Sequence, residues 1–280
     1  MSDSKYDDAP RVWWKEWLKS WIVRRFGAAL VGGAPQADYL VRLGMPRERV
    51  FMGYDVVDND RFRQEANAAR RNAAELGARQ GLPESYFLFV GRFDPVKNLS
   101  RLMDAYAAYK RLAEKPWDLV LCGSGEEEPA IRSQIESLGL ESVRFMGFRQ
   151  IDELPFFYGL ASAFVAPSTK DTWNLTVNEA MASGLPVLVS RACGCAQDLV
   201  KDGVNGFTFD PYDVEGLANL MERMSSGQVD LAAMGRASRE IISHWSPQLF
   251  AENLVRAAEA GTTHAAKRKA RSAIPPLLWL

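Results

Sequence analysis

The sequence predicts an α/β protein built on a parallel sheet with helices on both faces. Short apolar runs alternate with helical segments along the 280 residues. Most of those runs are continuously apolar, as strands covered on both faces are. The stretch ASAFVAPSTKDTWNLTVNEAMASGLPVLVS, residues 161–190, contains a whole strand–loop–helix–strand unit. Parallel neighbours need that kind of crossover connection.

Strands are predicted at Ala28–Val31, Val50–Met52, Tyr86–Val90, Asp118–Leu121, Val143–Met146, Ala163–Ala166, Pro186–Val189 and Gly206–Phe209. The segment Asn98–Arg111 carries Leu99, Leu102, Met103, Tyr106 and Tyr109 at helical spacing. Further helices are predicted over 12–25, 61–79, 127–138, 174–183, 213–225, 229–243 and 247–259. The polar stretch GYDVVDNDRF at 53–62 reads as a linker. Residues 1–52 hold too few elements for a whole domain and read as the incomplete end of an N-terminal one. Residues 63–245 read as a complete α/β domain, and 246–280 as a terminal helix with a loosely ordered tail.

Apolar residues make up 47% of the chain and charged ones 25%, the balance of a globular protein. A formal net charge of −1 gives no global attraction to nucleic acid or anionic membrane. Cys122, Cys193 and Cys195 are odd in number, and the opening Met1–Pro10 is acidic and polar. Free thiols and a cytoplasmic location are expected. Cys193 and Cys195 have neither zinc-pair spacing nor nearby further ligands, so no metal site is predicted. No apolar stretch reaches the roughly 18 residues of a membrane span. Val12–Phe26 sets Trp13, Trp14, Trp17 and Trp21 among Lys15, Lys19, Arg24 and Arg25. Trp13, Trp17 and Trp21 share one helical stripe. This is either a helix packed on its domain or one lying on a membrane surface, at the inner membrane face.

Three loops carry chemistry. In YFLFVGRFDPVKNLS, residues 86–100, a strand ends at Gly91, and Arg92 and Lys97 bracket the loop into the next helix. Two cations beside helix N–H groups suit a phosphate, although both could equally be solvated surface charges. In the second loop, Asp171 precedes a helix that carries Glu179 about two turns in. A carboxylate only accepts hydrogen bonds, so Glu179 can hold two vicinal ribose hydroxyls. Asp171 can cap the helix or touch a ligand. Backbone N–H groups of Asn174, Leu175 and Thr176 would face an anion there. The third loop, LCGSGEEEPA at 121–130, has Gly123 and Gly125 but Glu128 at the third glycine position of a dinucleotide fingerprint. A tight turn beside the cleft fits it better than a nicotinamide cofactor. Phe148-Arg149 follows another strand exit and can border a base.

The blocks VGRFDPVKN, LVLCGSGEEE, VRFMGF, DTWNLTVNEAMASGLPVLVS and GCAQDLVKDGVNGFTFDP resemble, in order, a family 4 (group 1) retaining glycosyltransferase of the GT-B fold. The likeness lies mainly in its Rossmann-like C-terminal donor-binding domain, over roughly residues 50–225. It implies that a nucleoside-diphosphate sugar is the donor substrate and that no metal or other cofactor is needed. Arg92 and Lys97 match the pair that binds the diphosphate. Glu179 matches the acid on the ribose, and Asp171 the acid beside the transferred sugar. Gly91 ends the matching strand, Trp173 to Thr176 match the turn at the sugar and phosphate, and Phe148-Arg149 the base pocket. Asp171 stands where Glu is usual, and Asn174 where Gly is usual. Only His244 and His264 are present, so nothing matches the histidine of the family's acceptor domain. Two other readings stay open. One is a nucleotide-sugar-binding module or catalytically incompetent fragment, which a separate acceptor-domain polypeptide could complete. The other is a nucleotide-sugar epimerase, which shares the two-domain architecture but which the block order disfavours.

Overall fold

The computed structural model describes residues 4–7 and 10–272. Residues Val57–His244 form one compact unit, and the described residues of the flanking segments form another.

The flanking unit contains α1 (Trp13–Val23), β1 (Ala29–Val31), α2 (Ala34–Arg42) and β2 (Val50–Met52). β1 and β2 pair in parallel as a two-stranded sheet, with Leu30 opposite Phe51. Val31, Ala37, Tyr39, Leu40, Leu43, Met45 and Val50 form its core. The C-terminal helix, residues 247–272, belongs to this unit. Asn253 donates to the Met52 carbonyl at 2.9 Å, and Phe250 lies against Tyr54. The helix therefore runs through part of the segment expected to be loose, while 273–280 lie outside the described residues.

α1 turns its polar side inward. Tyr39 donates its hydroxyl to Glu16 at 2.9 Å, and Ser20 donates to the Leu43 carbonyl at 2.7 Å. The tryptophan stripe faces away from the unit: Trp13, Trp17 and Trp21 are 82%, 65% and 49% exposed.

The larger unit opens with α3 (Asn59–Arg71) and α4 (Ala73–Gln80). Their boundary at Asn72 splits the single helix expected over 61–79. α3 begins inside the stretch read as a linker because Asp58 accepts the Arg61 N–H at 3.0 Å and caps it. There follow β3 (Tyr86–Val90), α5 (Leu99–Leu112), β4 (Asp118–Cys122), α6 (Glu128–Leu138), β5 (Val143–Gly147), α7 (Leu154–Leu160), β6 (Ala163–Ala166), α8 (Leu175–Ala182), β7 (Val187–Ser190), α9 (Ala196–Leu199), β8 (Gly206–Phe209), α10 (Val214–Ser225) and α11 (Leu231–Ser243). With the C-terminal helix as α12, the predicted strands are all present. Sequence reasoning missed α7 and the short α9. Pro155, which reads as a breaker, sits in the first turn of α7, where no N–H is needed.

The six strands are all parallel, in the order β5-β4-β3-β6-β7-β8. Strand order therefore reverses between β3 and β6. At such a reversal the connections leaving the two strands run to opposite faces of the sheet, which opens a crevice at their carboxyl ends, the place where open α/β sheets bind ligands. β3, β6 and β7 are buried along their whole length.

Candidate functional site

The loops after β3 and β6 meet at the reversal. Thr169 donates its N–H to the Val96 carbonyl at 2.9 Å. Asn98 is buried and left-handed, with φ 60. Its amide donates to the Pro167 carbonyl at 3.0 Å and the Pro211 carbonyl at 2.9 Å. One side chain thus ties the loops after β3, β6 and β8 together. The loop after β3 also presses on the one after β4. A Cβ at Gly123 would stand 1.9 Å from the Gly91 carbonyl oxygen, and one at Gly125 would stand 2.5 Å from that of Phe93. The paired glycines exist for this close backbone approach.

Lys97 ends a 3₁₀ turn, Pro95–Lys97. Its Nζ lies 2.6 Å from Asp171 Oδ2, with the two side chains only 20% and 13% exposed. Asp171 is therefore an ion-pair partner of Lys97 and does not cap α8. Asn174 holds the cap position with φ 89, the left-handed backbone that an asparagine tolerates better than most residues. Its side-chain oxygen accepts from Thr176 at 2.7 Å, and its amide donates to the Cys193 sulfur at 3.7 Å. Burial pushes the Cys193 thiol up to about 12, so it stays protonated. The segment after β7 straps the Asp171 loop from behind. Gly194 donates to the Asp171 carbonyl and Cys195 to the Trp173 carbonyl, both at 3.1 Å. Trp173 is buried, with its indole N–H on Asn178 at 3.0 Å. The first-turn amides of α8, including Leu175 and Thr176, have no intrahelical acceptors and give that helix end a positive field.

Glu179 is buried on α8. Tyr158 of α7 donates its hydroxyl to Glu179 Oε2 at 2.7 Å. Burial pushes the carboxyl up to about 7, and the tyrosine hydrogen bond opposes that rise. A carboxylate here costs more than in water, and it is held only because a donor faces it.

Two sequence-predicted residues sit apart from this cluster. The Arg92 side chain is 82% exposed and pairs with Asp94 at 2.9 Å. Phe148 is 68% exposed beyond β5. Arg149 pairs with Glu153 at 3.0 Å, lies over the Phe157 ring, and has a buried Nε with no acceptor. Its positive charge lowers the Cys122 thiol, against the dominant burial that raises it to about 12. The structure thus gathers Lys97, Asp171, Asn174 and the start of α8 around one crevice, with Glu179 further along the same helix. Among the described residues, no group of three or more His, Cys, Asp or Glu could hold a metal ion. No described helix is long and apolar enough to cross a membrane.

A family model described as glycosyl transferases group 1 matches residues 77–241, the span that builds this crevice. The chain belongs to that family. The chain is 35% identical over 180 residues to a D-inositol 3-phosphate glycosyltransferase of Salinispora arenicola, covering 60% of this chain and 40% of that protein. A D-inositol 3-phosphate glycosyltransferase of Streptomyces avermitilis is 32% identical over 231 residues, 78% of this chain and 48% of its own length. The chain therefore spans less than half of each of these relatives. The sheet matches GT-B glycosyltransferase structures. A Rickettsia africae glycosyltransferase superposes with a TM-score of 0.74 at 17% identity, over 91% of this chain and 69% of that one. Anabaena HepE, solved in complex with UDP, gives 0.65 at 21% identity, over 87% and 64%.

Sequence reasoning missed Asn98 and Tyr158. Asn98 read as an ordinary helix start. An Asn immediately before a helix, after a Pro-containing turn, was the available signal for left-handed backbone. Tyr158 lay in a helix that Pro155 concealed.

Proposed function

We propose that the crevice binds a nucleoside-diphosphate sugar and that this chain is the donor half of a retaining family 4 glycosyltransferase. The observation that carries the reading is the convergence of Lys97, Asp171 and the α8 N-terminus at the β3–β6 reversal, with Glu179 about one turn along the same helix. The diphosphate lies against Lys97 and the first-turn amides of α8, with Arg92 at its outer edge and Gly91 giving backbone room. Glu179 accepts from the ribose hydroxyls, Asp171 and Trp173 to Thr176 face the sugar, and Phe148-Arg149 border the base. When the anomeric bond breaks, negative charge grows on the departing diphosphate. Fixed cations and amide dipoles stabilise that charge more than they stabilise the bound donor. The acceptor half is supplied by further polypeptide, in the same chain or a separate one.

The test is thermal stabilisation by UDP-, GDP- and ADP-sugars. One of them is expected to raise the unfolding temperature of the wild-type chain, and Lys97→Ala to abolish the shift. A flat response to all three would overturn the donor reading.

The outward face of α1 supports a contact with anionic lipid as well. Its apolar arc carries four tryptophans, its neighbours Lys15, Arg24 and Arg25 are basic, and its one acidic residue, Glu16, is turned inward. Indole rings flanked by cations favour the water–lipid boundary. Wild-type chain is expected to co-sediment with phosphatidylserine vesicles, and Trp17→Glu to reduce the bound fraction severalfold. Equal binding by that variant would remove α1 from the contact.

A further inference from the structure

We infer that Tyr158 is the positioning residue for Glu179, and that its hydroxyl sets the selectivity of this site for a ribose over a sugar lacking the vicinal hydroxyls. This rests on the donor reading above. A carboxylate on a side chain with three rotatable torsions can present either oxygen in many directions. Here the choice is made by a donor that cannot move.

Tyr158 is fully buried, and its ring packs edge-on to Phe62 and at a tilt to Phe164. The helix that carries it is fixed in depth from two sides. The Tyr86 hydroxyl donates to the Phe157 carbonyl at 2.8 Å. A Cβ at the adjacent Gly159 would stand 2.7 Å from the Ala66 carbonyl oxygen of α3, so α7 is seated as closely as backbone allows. The phenol keeps its proton, because burial and the charge of Glu179 both push its ionisation well above the usual tyrosine range. It is therefore a constant donor to Oε2. One lone pair of the carboxylate is committed to that donor. Its remaining lone pairs are left to accept from a pair of neighbouring hydroxyls.

A fixed, dry acceptor rejects a ligand that cannot fill it, since the carboxylate is then desolvated without a donor. Selectivity for the diol thus depends on the orientation that Tyr158 imposes. Removing the hydroxyl leaves the ring packing intact but frees Glu179 to rotate.

The experiment compares affinities of UDP, GDP and ADP with their 2′,3′-dideoxy counterparts, by calorimetry at pH 8. Wild-type chain is expected to prefer the ribonucleotide strongly for whichever base binds. Tyr158→Phe is expected to shrink that preference about tenfold or more, with the dideoxy affinity nearly unchanged. A merely structural role would weaken both nucleotides equally, and an unchanged preference in Tyr158→Phe would likewise overturn the inference. If Tyr158→Phe does not fold, 4-fluorophenylalanine at position 158 keeps nearly the same shape without a donor, and an unchanged preference there overturns it too. Failure of every nucleotide to bind wild type is a different result and sinks the donor reading itself.

Discussion

Glu179→Gln is expected to make the free protein more stable at pH 8 while removing its grip on ribose. Burial raises the carboxyl from 4.5 to about 7, so the folded state holds that proton more tightly than the unfolded chain does. The sign follows by linkage. Below about pH 4.5 the group is protonated in both states and contributes no pH-dependent term. As pH rises to about 7, only the unfolded chain gives up its proton freely, and stability is lost. Above about 7 the loss is complete, and two and a half pH units correspond to about 3 kcal/mol. An amide keeps the size and an oxygen for the Tyr158 hydroxyl but carries no charge. The variant should recover most of that free energy at pH 8 and only about a quarter of it at pH 5, read from urea midpoints at both values. Its ribonucleotide affinity should fall at both. Wild type more stable than the variant at pH 8 would show that Glu179 is already satisfied in the free protein.

If the crevice holds a nucleotide sugar as proposed, the same shift sets how that binding depends on pH. If the ribose needs the ionised carboxylate, binding below about pH 7 must release one proton, and affinity should fall about tenfold for each further unit of pH. A nucleotide sugar is the right probe, because a free nucleoside diphosphate has a terminal phosphate that titrates near 6.

The strands were legible because each is a short, unbroken apolar run, and their parallel arrangement followed from that. The site loops were legible at the level of residue type: Lys97, Asp171 and Glu179 stand where strand ends and helix starts put them. What stayed hidden were partners that only three dimensions supply. No spacing pairs Lys97 with Asp171 across 74 positions, or Tyr158 with Glu179 across 21. The same gap explains Arg92. Sequence ranked it with Lys97, yet its guanidinium pairs with Asp94 two residues on and stands mostly in solvent.

That difference predicts unequal effects. Lys97→Met is expected to slow release of nucleoside diphosphate from the donor by 10²- to 10³-fold, about 3–4 kcal/mol, the usual scale for losing one fixed stabiliser of developing charge. Lys97 is four-fifths buried against Asp171, where water screens its charge poorly. A lysine ammonium has three donors, so it can keep Asp171 while donating to a phosphate. Arg92→Met should cost about tenfold or less, largely in donor affinity, and the loss should fade with added salt because an exposed charge is screened. Lys97→Met will also lower stability by leaving Asp171 half-buried and unpaired. Adding Asp171→Asn should restore stability without restoring turnover, a non-additive pair in one property and not in the other. A larger loss in Arg92→Met than in Lys97→Met would place the departing diphosphate at the rim of the crevice and not between β3 and β6.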